Sequence, residues 1–159
     1  MIGDIMANLG NYGLKREEVF LTTKLSMSLL CYLFNPIFVL IVLFCFLGTA
    51  HQGKGNCRKA ILEQIKDLQV TYVDMVLIHF PGSSQVSPGS VKNATNRQGS
   101  WEDLEQLVTE GLVRSIGVSN YEIKHLEELL KYAKIKPVVN QARHLFNVRI
   151  FSFLFLLLH

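Results

Sequence analysis

Short apolar runs and amphipathic stretches alternate along the chain. Four apolar runs that each end in a polar residue predict strands, at about 19–24, 73–79, 113–118 and 137–140. Apolar residues at helical spacing predict three helices, over 56–70, 100–112 and 121–135. This alternation predicts an α/β fold in which parallel strands are joined by crossover helices.

Each predicted helix has one apolar face. The positions expected to face inward are Ala60, Ile61, Ile65 and Leu68, then Trp101, Leu104, Leu107, Val108 and Leu112, and finally Ile123, Leu126, Leu129, Leu130 and Ala133. The run Ser-Trp-Glu-Asp from Ser100 resembles a capping box and predicts that the second helix begins there. Residues 82–100 hold many Ser, Gly and Asn residues and predict a long loop.

Polar residues follow or end all four predicted strands. They are Lys24, His79, Ser119 with Asn120, and Asn140 with Gln141. The carboxyl ends of parallel strands form the active-site face of α/β proteins, so these side chains are expected to meet at one mouth. Each residue alone has a structural interpretation: a solvated strand end for Lys24, a hydrogen-bonded core histidine for His79, and a cap of the helix that starts at Tyr121 for Asn120. Their recurrence at four strand ends favours a functional site.

Composition limits the class of protein. The 159 residues suffice for one domain, 18% of them are charged, and the net charge is +3. No basic cluster alternates with aromatic residues, so nucleic-acid binding is not supported. The three cysteines, Cys31, Cys45 and Cys57, fit neither a zinc site nor a disulfide framework. The first 20 residues lack the apolar segment of a signal peptide, and we expect a reducing, cytoplasmic setting.

Two blocks, residues 26–50 and 142–159, are far more apolar than the rest. The first has no charged residue and reaches the roughly 20 residues that a transmembrane helix needs. It could instead be an apolar hairpin packed on the domain, which would expose a large apolar patch. A third interpretation is translated non-coding sequence, which the abrupt edges of both blocks favour. If 26–50 is a true span, the protein is membrane-bound.

Several motifs together resemble the aldo-keto reductases. They are VFLTTKL (19–25), YVDMVLIHFPG (72–82), WEDLEQLVTEGLVRSIGVSN (101–120) and IKPVVNQ (135–141). The resemblance covers 1–25 and 51–141, and 142–159 is unlike the family. It implies part of a (β/α)8 barrel, a TIM barrel, and hydride transfer between NADPH and an aldehyde or ketone. The choice of NADPH over NADH comes from the resemblance alone.

The resemblance assigns a role to each strand-end residue. Lys24 matches the catalytic lysine that lowers the pKa of a tyrosine acid. His79 matches the histidine that orients the carbonyl substrate, and Ser119, Asn120 and Gln141 match the residues that hold the nicotinamide carboxamide. The loop 82–100 matches a loop that shapes the substrate pocket. No metal site is implied.

The tyrosine acid itself belongs, by the same resemblance, to a strand that would precede Met1, as does the aspartate that pairs with the lysine. Asp4 and Tyr12 match the helix after that strand and do not replace them. We therefore expect carbonyl reduction by these 159 residues to be impaired. The alternatives are a nicotinamide-binding module without turnover and a membrane-anchored interaction protein.

Overall fold

The structure is a computed structural model that describes residues 2–24 and 49–141, with side chains over 3–21 and 49–141. Its four strands are β1 (Thr22–Lys24), β2 (Val73–Ile78), β3 (Val113–Ser119) and β4 (Asn140–Gln141). Its α-helices are α1 (Ile2–Ala7), α2 (Asn56–Asp67), α3 (Val91–Thr109) and α4 (Ile123–Tyr132). The strands form one sheet in chain order, and every neighbouring pair is parallel. The predicted α/β fold with parallel strands is confirmed.

The core lies between the sheet and the helices α2 and α3. Strands β2 and β3 are buried on both faces over most of their length, as expected for parallel strands that are covered on both sides. Trp101 of α3 is completely buried, and its indole N–H donates a hydrogen bond to the Ile135 carbonyl at 3.1 Å. This contact ties the middle of α3 to the segment that leads into β4.

Helix α3 begins nine residues earlier than the sequence pattern predicts, so residues 91–100 are helix and not loop. Ser90 is the N-cap, and its hydroxyl accepts a hydrogen bond from the Lys92 amide. Ser100 lies inside the helix, where its hydroxyl donates to the Asn96 carbonyl. The prediction of a helix start at Ser100 is wrong because the first half of α3 buries polar side chains, which a search for apolar spacing does not detect.

The predicted and observed elements also differ at β1, β4 and α4. The first strand begins at Thr22, three residues later than predicted, and a 3-10 turn from Arg16 to Glu18 precedes it. Ahead of β4, Pro137 has no N–H to donate to a ladder, although the Val138 amide already bonds to the Ile116 carbonyl at 3.0 Å. On α4, Ile123 and Leu130 are 76% and 45% exposed, contrary to the predicted inward orientation.

The amino end of the sheet is held by a buried carboxylate. Asp74 of β2 accepts hydrogen bonds from the Leu21 amide at 2.8 Å, from Arg16 at 2.9 Å and from Arg114 at 3.2 Å. Both guanidinium groups lie 3.9 Å from the centre of the Tyr72 ring, a distance at which cation–π attraction operates. This cluster joins the entries of β1, β2 and β3, at the end opposite to the predicted site.

Most of the predicted apolar insertion 26–50, and all of the tail 142–159, lie outside the described residues. Only Thr49 and Ala50 of the insertion are described, and they open a short 3-10 turn that ends at His51. Among residues 2–24 and 49–141, no helix is both long enough and apolar enough to cross a bilayer.

Candidate active site

The carboxyl ends of the four strands lie at one edge of the sheet. Lys24 ends β1 and pairs with Leu77, next to the end of β2. Val118 pairs with Ile78 on one side and with Asn140 on the other. The predicted site residues therefore share this edge: Lys24, His79, Ser119, Asn120 and Gln141. The position of the Lys24 side chain falls outside the described part of the chain.

Asn120 joins the ends of β2 and β3. Its side-chain Nδ2 donates to the His79 carbonyl at 2.8 Å and to Ser119 Oγ at 3.0 Å. Its backbone has φ +59°, in the left-handed region that asparagine tolerates better than most residues. Because the His79 carbonyl can only accept, Nδ2 must face it, and this fixes the orientation of the amide.

Ser119 joins β3 to β4. Its hydroxyl donates to the Gln141 carbonyl at 2.6 Å, and the backbone N–H of Asn120 donates to the same carbonyl at 3.0 Å. The Ser119 side chain is completely buried, whereas Asn120 and Gln141 are half-buried. Because Ser119 is buried, it contributes to the edge by positioning Asn120 and Gln141 through hydrogen bonds.

Asn120 does not cap the following helix, so the structural interpretation that the sequence left open is wrong. Helix α4 begins at Ile123 and its N-cap is Glu122, whose amide donates to Nδ1 of His125 at 3.2 Å. The turn between β3 and α4 is held instead by Asn140, which bonds both the amide and the carbonyl of Tyr121. The side-chain amide of Asn120 therefore bonds to the ends of β2 and β3 and not to α4.

A cleft of about 360 Å³ opens beside Asn120. The loop after β2 forms one wall through Phe80, and the start of α4 forms another through Lys124 and His125. Arg97, from the first half of α3, also lines the cleft and is only 7% exposed. The loop from Gly82 to Ser90 thus borders the cleft, as predicted for the pocket loop, whereas residues 91–100 contribute as helix.

The aldo/keto reductase family model matches residues 1–150. The chain belongs to the aldo/keto reductase family. Aldose reductase C from Dictyostelium discoideum is 33% identical over 162 aligned residues, which cover 89% of this chain and 42% of that protein. Glyoxal reductase from Bacillus subtilis (strain 168) is 34% identical over 129 residues, which cover 81% of this chain and 35% of that protein.

Solved structures of the family share this fold. An aldo/keto reductase from Brucella melitensis superposes with a TM-score of 0.64 at 29% identity, over 89% of this chain and 43% of that one. A Bombyx mori aldo-keto reductase in complex with NADP gives a TM-score of 0.65 at 27% identity, over 90% and 39%. The predicted partial TIM barrel is thereby confirmed, and this chain spans less than half the length of these relatives.

Two described tyrosines near the candidate site, Tyr121 and Tyr132, have raised pKa values, unlike an acid that works at neutral pH. Burial raises the pKa of Tyr121, and the neighbouring Tyr132 adds to the effect. Burial also raises the pKa of Tyr132 to about 12, with Glu128 as the next cause. Tyr12 lies on the 3-10 helix after α1 and is 64% exposed, away from the strand ends.

A buried polar network beside the cleft was not predicted from the sequence. It comprises Gln52, Ser83, Asn93, Asn96 and Arg97. One signal could have revealed it: Asn93, Arg97 and Ser100 are four and three residues apart, which places them on the helix face that Trp101 continues. A polar stripe that runs into an apolar stripe indicates a buried helix face with hydrogen-bond partners.

Proposed function

We propose that this chain forms the nicotinamide-binding edge of an NADPH-dependent aldo-keto reductase, which transfers hydride between NADPH and an aldehyde or ketone. One observation carries the proposal. The Asn120 amide is fixed with Nδ2 on the His79 carbonyl, so Oδ1 faces away from that carbonyl and accepts no hydrogen bond from the described residues. A carboxamide N–H₂ is a donor that would complete it.

The roles of the strand-end residues follow from this edge. Asn120 and Gln141 hold the carboxamide, and Ser119 fixes both through its two hydrogen bonds. When bound, the dihydronicotinamide supplies the hydride to the carbonyl carbon. His79 orients the carbonyl oxygen, which takes up a proton as the carbon is reduced. Lys24 lowers the pKa of the acid that supplies this proton, a role that rests on the family resemblance.

We propose that neither Tyr121 nor Tyr132 is the proton donor, because burial raises the pKa of both side chains. We therefore propose that the 159-residue chain binds NADPH but reduces carbonyl compounds slowly. General-acid assistance is typically worth about 10² to 10⁴ in rate, so its loss is readily measured. The buried free thiol of Cys57 is in keeping with a reducing compartment such as the cytoplasm.

Two serines of β3 provide a matched test. Ser119 Oγ donates to the Gln141 carbonyl at 2.6 Å, and Ser115 Oγ donates to the Asp74 carbonyl at 2.6 Å at the opposite end of the sheet. Fluorescence titration of NADPH into the chain and into Ser119→Ala and Ser115→Ala measures the dissociation constants. We expect Ser119→Ala to weaken binding about fivefold, the equivalent of one net hydrogen bond.

Ser115→Ala should leave the dissociation constant of NADPH unchanged, although it removes a bond of the same length. Equal effects of the two substitutions would contradict the assignment of the edge. No binding of NADPH by the parent chain would refute the proposed function, and titration with NADH in parallel tests the choice of cofactor.

A further inference from the structure

The side chain of Asn140 continues the pairing of β3 and β4 past the ends of the two strands. The backbone N–H of Asn120 donates to the Gln141 carbonyl at 3.0 Å. For the next residue, Tyr121, the Asn140 side chain supplies both partners: Oδ1 accepts from the backbone N–H at 3.3 Å, and Nδ2 donates to the carbonyl at 2.9 Å. A carboxamide has a donor and an acceptor, as a peptide unit does, so it can bond as a strand residue would.

These two bonds require the chain to turn back at Asn120. Along the sheet Asn140 pairs with Val118, yet its side chain bonds to Tyr121, three residues further on. In an extended strand those three residues would carry Tyr121 about 10 Å beyond the register, at about 3.3 Å per residue. The φ of +59° at Asn120 turns the chain and brings Tyr121 to Asn140. The bonds of Asn140 therefore depend on the left-handed backbone of Asn120.

The same backbone conformation directs the side chain of Asn120. Its Nδ2 donates to the His79 carbonyl at 2.8 Å and to Ser119 Oγ at 3.0 Å. A left-handed conformation is unfavourable for a residue other than glycine, so its surroundings must support it. Tyr121 gives this support, because its ring is buried in the core at 5% exposed and its backbone is bonded to Asn140. Asn140 thus stabilises the conformation on which the direction of the Asn120 amide depends.

We infer that Asn140 is a positioning residue for the nicotinamide carboxamide and acts through Asn120. Both polar atoms of its own amide are engaged by the Tyr121 backbone, so it acts without binding the cofactor itself. This inference rests on the proposed function, because it concerns the cofactor contact assigned to Asn120. If Asn140 served only to fix the start of α4, its loss would lower stability and leave the affinity for the cofactor unchanged.

A double-mutant cycle in the full chain separates these two roles, with NADPH dissociation constants measured by fluorescence titration. Asn140→Ala should weaken NADPH binding about fivefold, the equivalent of one net hydrogen bond at Asn120. In an Asn120→Ala chain, which has no amide to position, Asn140→Ala should change the dissociation constant by less than about twofold. An equal loss in both backgrounds would show that Asn140 acts independently of Asn120 and would overturn the inference.

Glu105→Ala is the matched control, because Glu105 holds the backbone after the other end of α4. It is 8% exposed and accepts hydrogen bonds from the backbone N–H groups of Lys134 and Ile135 at 2.6 and 2.9 Å. Its substitution should lower stability in urea and leave the dissociation constant of NADPH unchanged within about twofold. If Glu105→Ala weakens NADPH binding as much as Asn140→Ala does, the loss reflects general destabilisation and the inference fails.

The inference and the proposed function fail in different ways. An unchanged dissociation constant in Asn140→Ala overturns the inference and leaves the proposed function intact. No NADPH binding by the parent chain overturns both.

If Asn140→Ala does not fold, Asn140→Asp decides, because it keeps the shape and the acceptor for the Tyr121 N–H. An ionised carboxylate cannot donate to the Tyr121 carbonyl, whereas a protonated one can. In this half-buried place, facing a carbonyl oxygen, the pKa of the carboxyl group should lie above its ordinary value of about 3.9. Relative to the parent chain at the same pH, NADP⁺ binding should be about fivefold weaker at pH 8 and recover towards the parent value at pH 5. The same ratio at both pH values overturns the inference.

Discussion

Asn120 allows backbone strain and side-chain bonding to be separated by two substitutions. Its φ of +59° lies in the left-handed region, and its amide makes two hydrogen bonds. Asn120→Gly removes both bonds, at about 1 kcal/mol each. It also relieves a left-handed cost of about 1 kcal/mol, which the greater freedom of glycine in the unfolded chain offsets by about 0.4 to 1 kcal/mol. We expect a net loss of about 1 to 2 kcal/mol.

Asn120→Ala removes the same bonds and keeps the left-handed strain, so we expect a loss of about 2 to 3 kcal/mol. Urea denaturation followed by Trp101 fluorescence measures both values, with the slope of the transition unchanged. NADPH titration should show equal losses of roughly tenfold or more for the two variants, since both lack the amide. If Asn120→Ala were as stable as Asn120→Gly, the strain argument would be refuted. NADPH affinity retained by both would refute the role of the amide.

Three further predictions concern groups away from this edge. Asp74→Ala should cost about 1 to 3 kcal/mol by urea denaturation, because it leaves the buried amide of Leu21 unpaired, whereas Glu63→Ala on the exposed face of α2 should stay within about 0.5 kcal/mol. Burial, followed by Arg97, lowers the pKa of His125, so the unfolded chain binds more protons below its ordinary pKa of about 6.5. Stability should therefore fall as the pH drops from 7 to 5, with a smaller slope in His125→Gln. Burial also raises the pKa of the Cys57 thiol, which should resist iodoacetamide at pH 8 until urea unfolds a chain whose other two cysteines are serine.

The sheet could be predicted from the sequence because its information is local. Strands β2 and β3 lie in short, mostly apolar runs, and parallel strands buried on both faces need no alternation, so these two strands are evident from the sequence pattern. The start of α3 could not be found in this way. Its first half buries Asn93 and Arg97, whose partners lie in the loop after β2 and on α4, and such partners are unknown until the fold brings them together.

The candidate site could be predicted only in part, because some of its information is local in the sequence and the rest depends on the fold. Polar residues at strand ends are visible in the sequence, and parallel pairing alone brings them to one edge. The hydrogen bonds that join these residues depend on the three-dimensional structure. Nothing in the sequence shows that the Asn120 amide spans to the His79 carbonyl rather than capping α4, because both uses suit an asparagine in that place. The choice follows from the left-handed backbone of Asn120 and from the position of Glu122 as the N-cap.

Four successive backbone carbonyls after β2, from His79 to Gly82, each accept a hydrogen bond from a side chain. Water could satisfy carbonyls at an open sheet edge with little loss, since an intramolecular hydrogen bond contributes only about 1 kcal/mol net. Side chains that take this place therefore add more to positional order than to stability. Asn120 holds the first of these carbonyls, Gln52 the second and the fourth, and Arg97 the third, so the position of the loop depends on side chains from three separate parts of the chain.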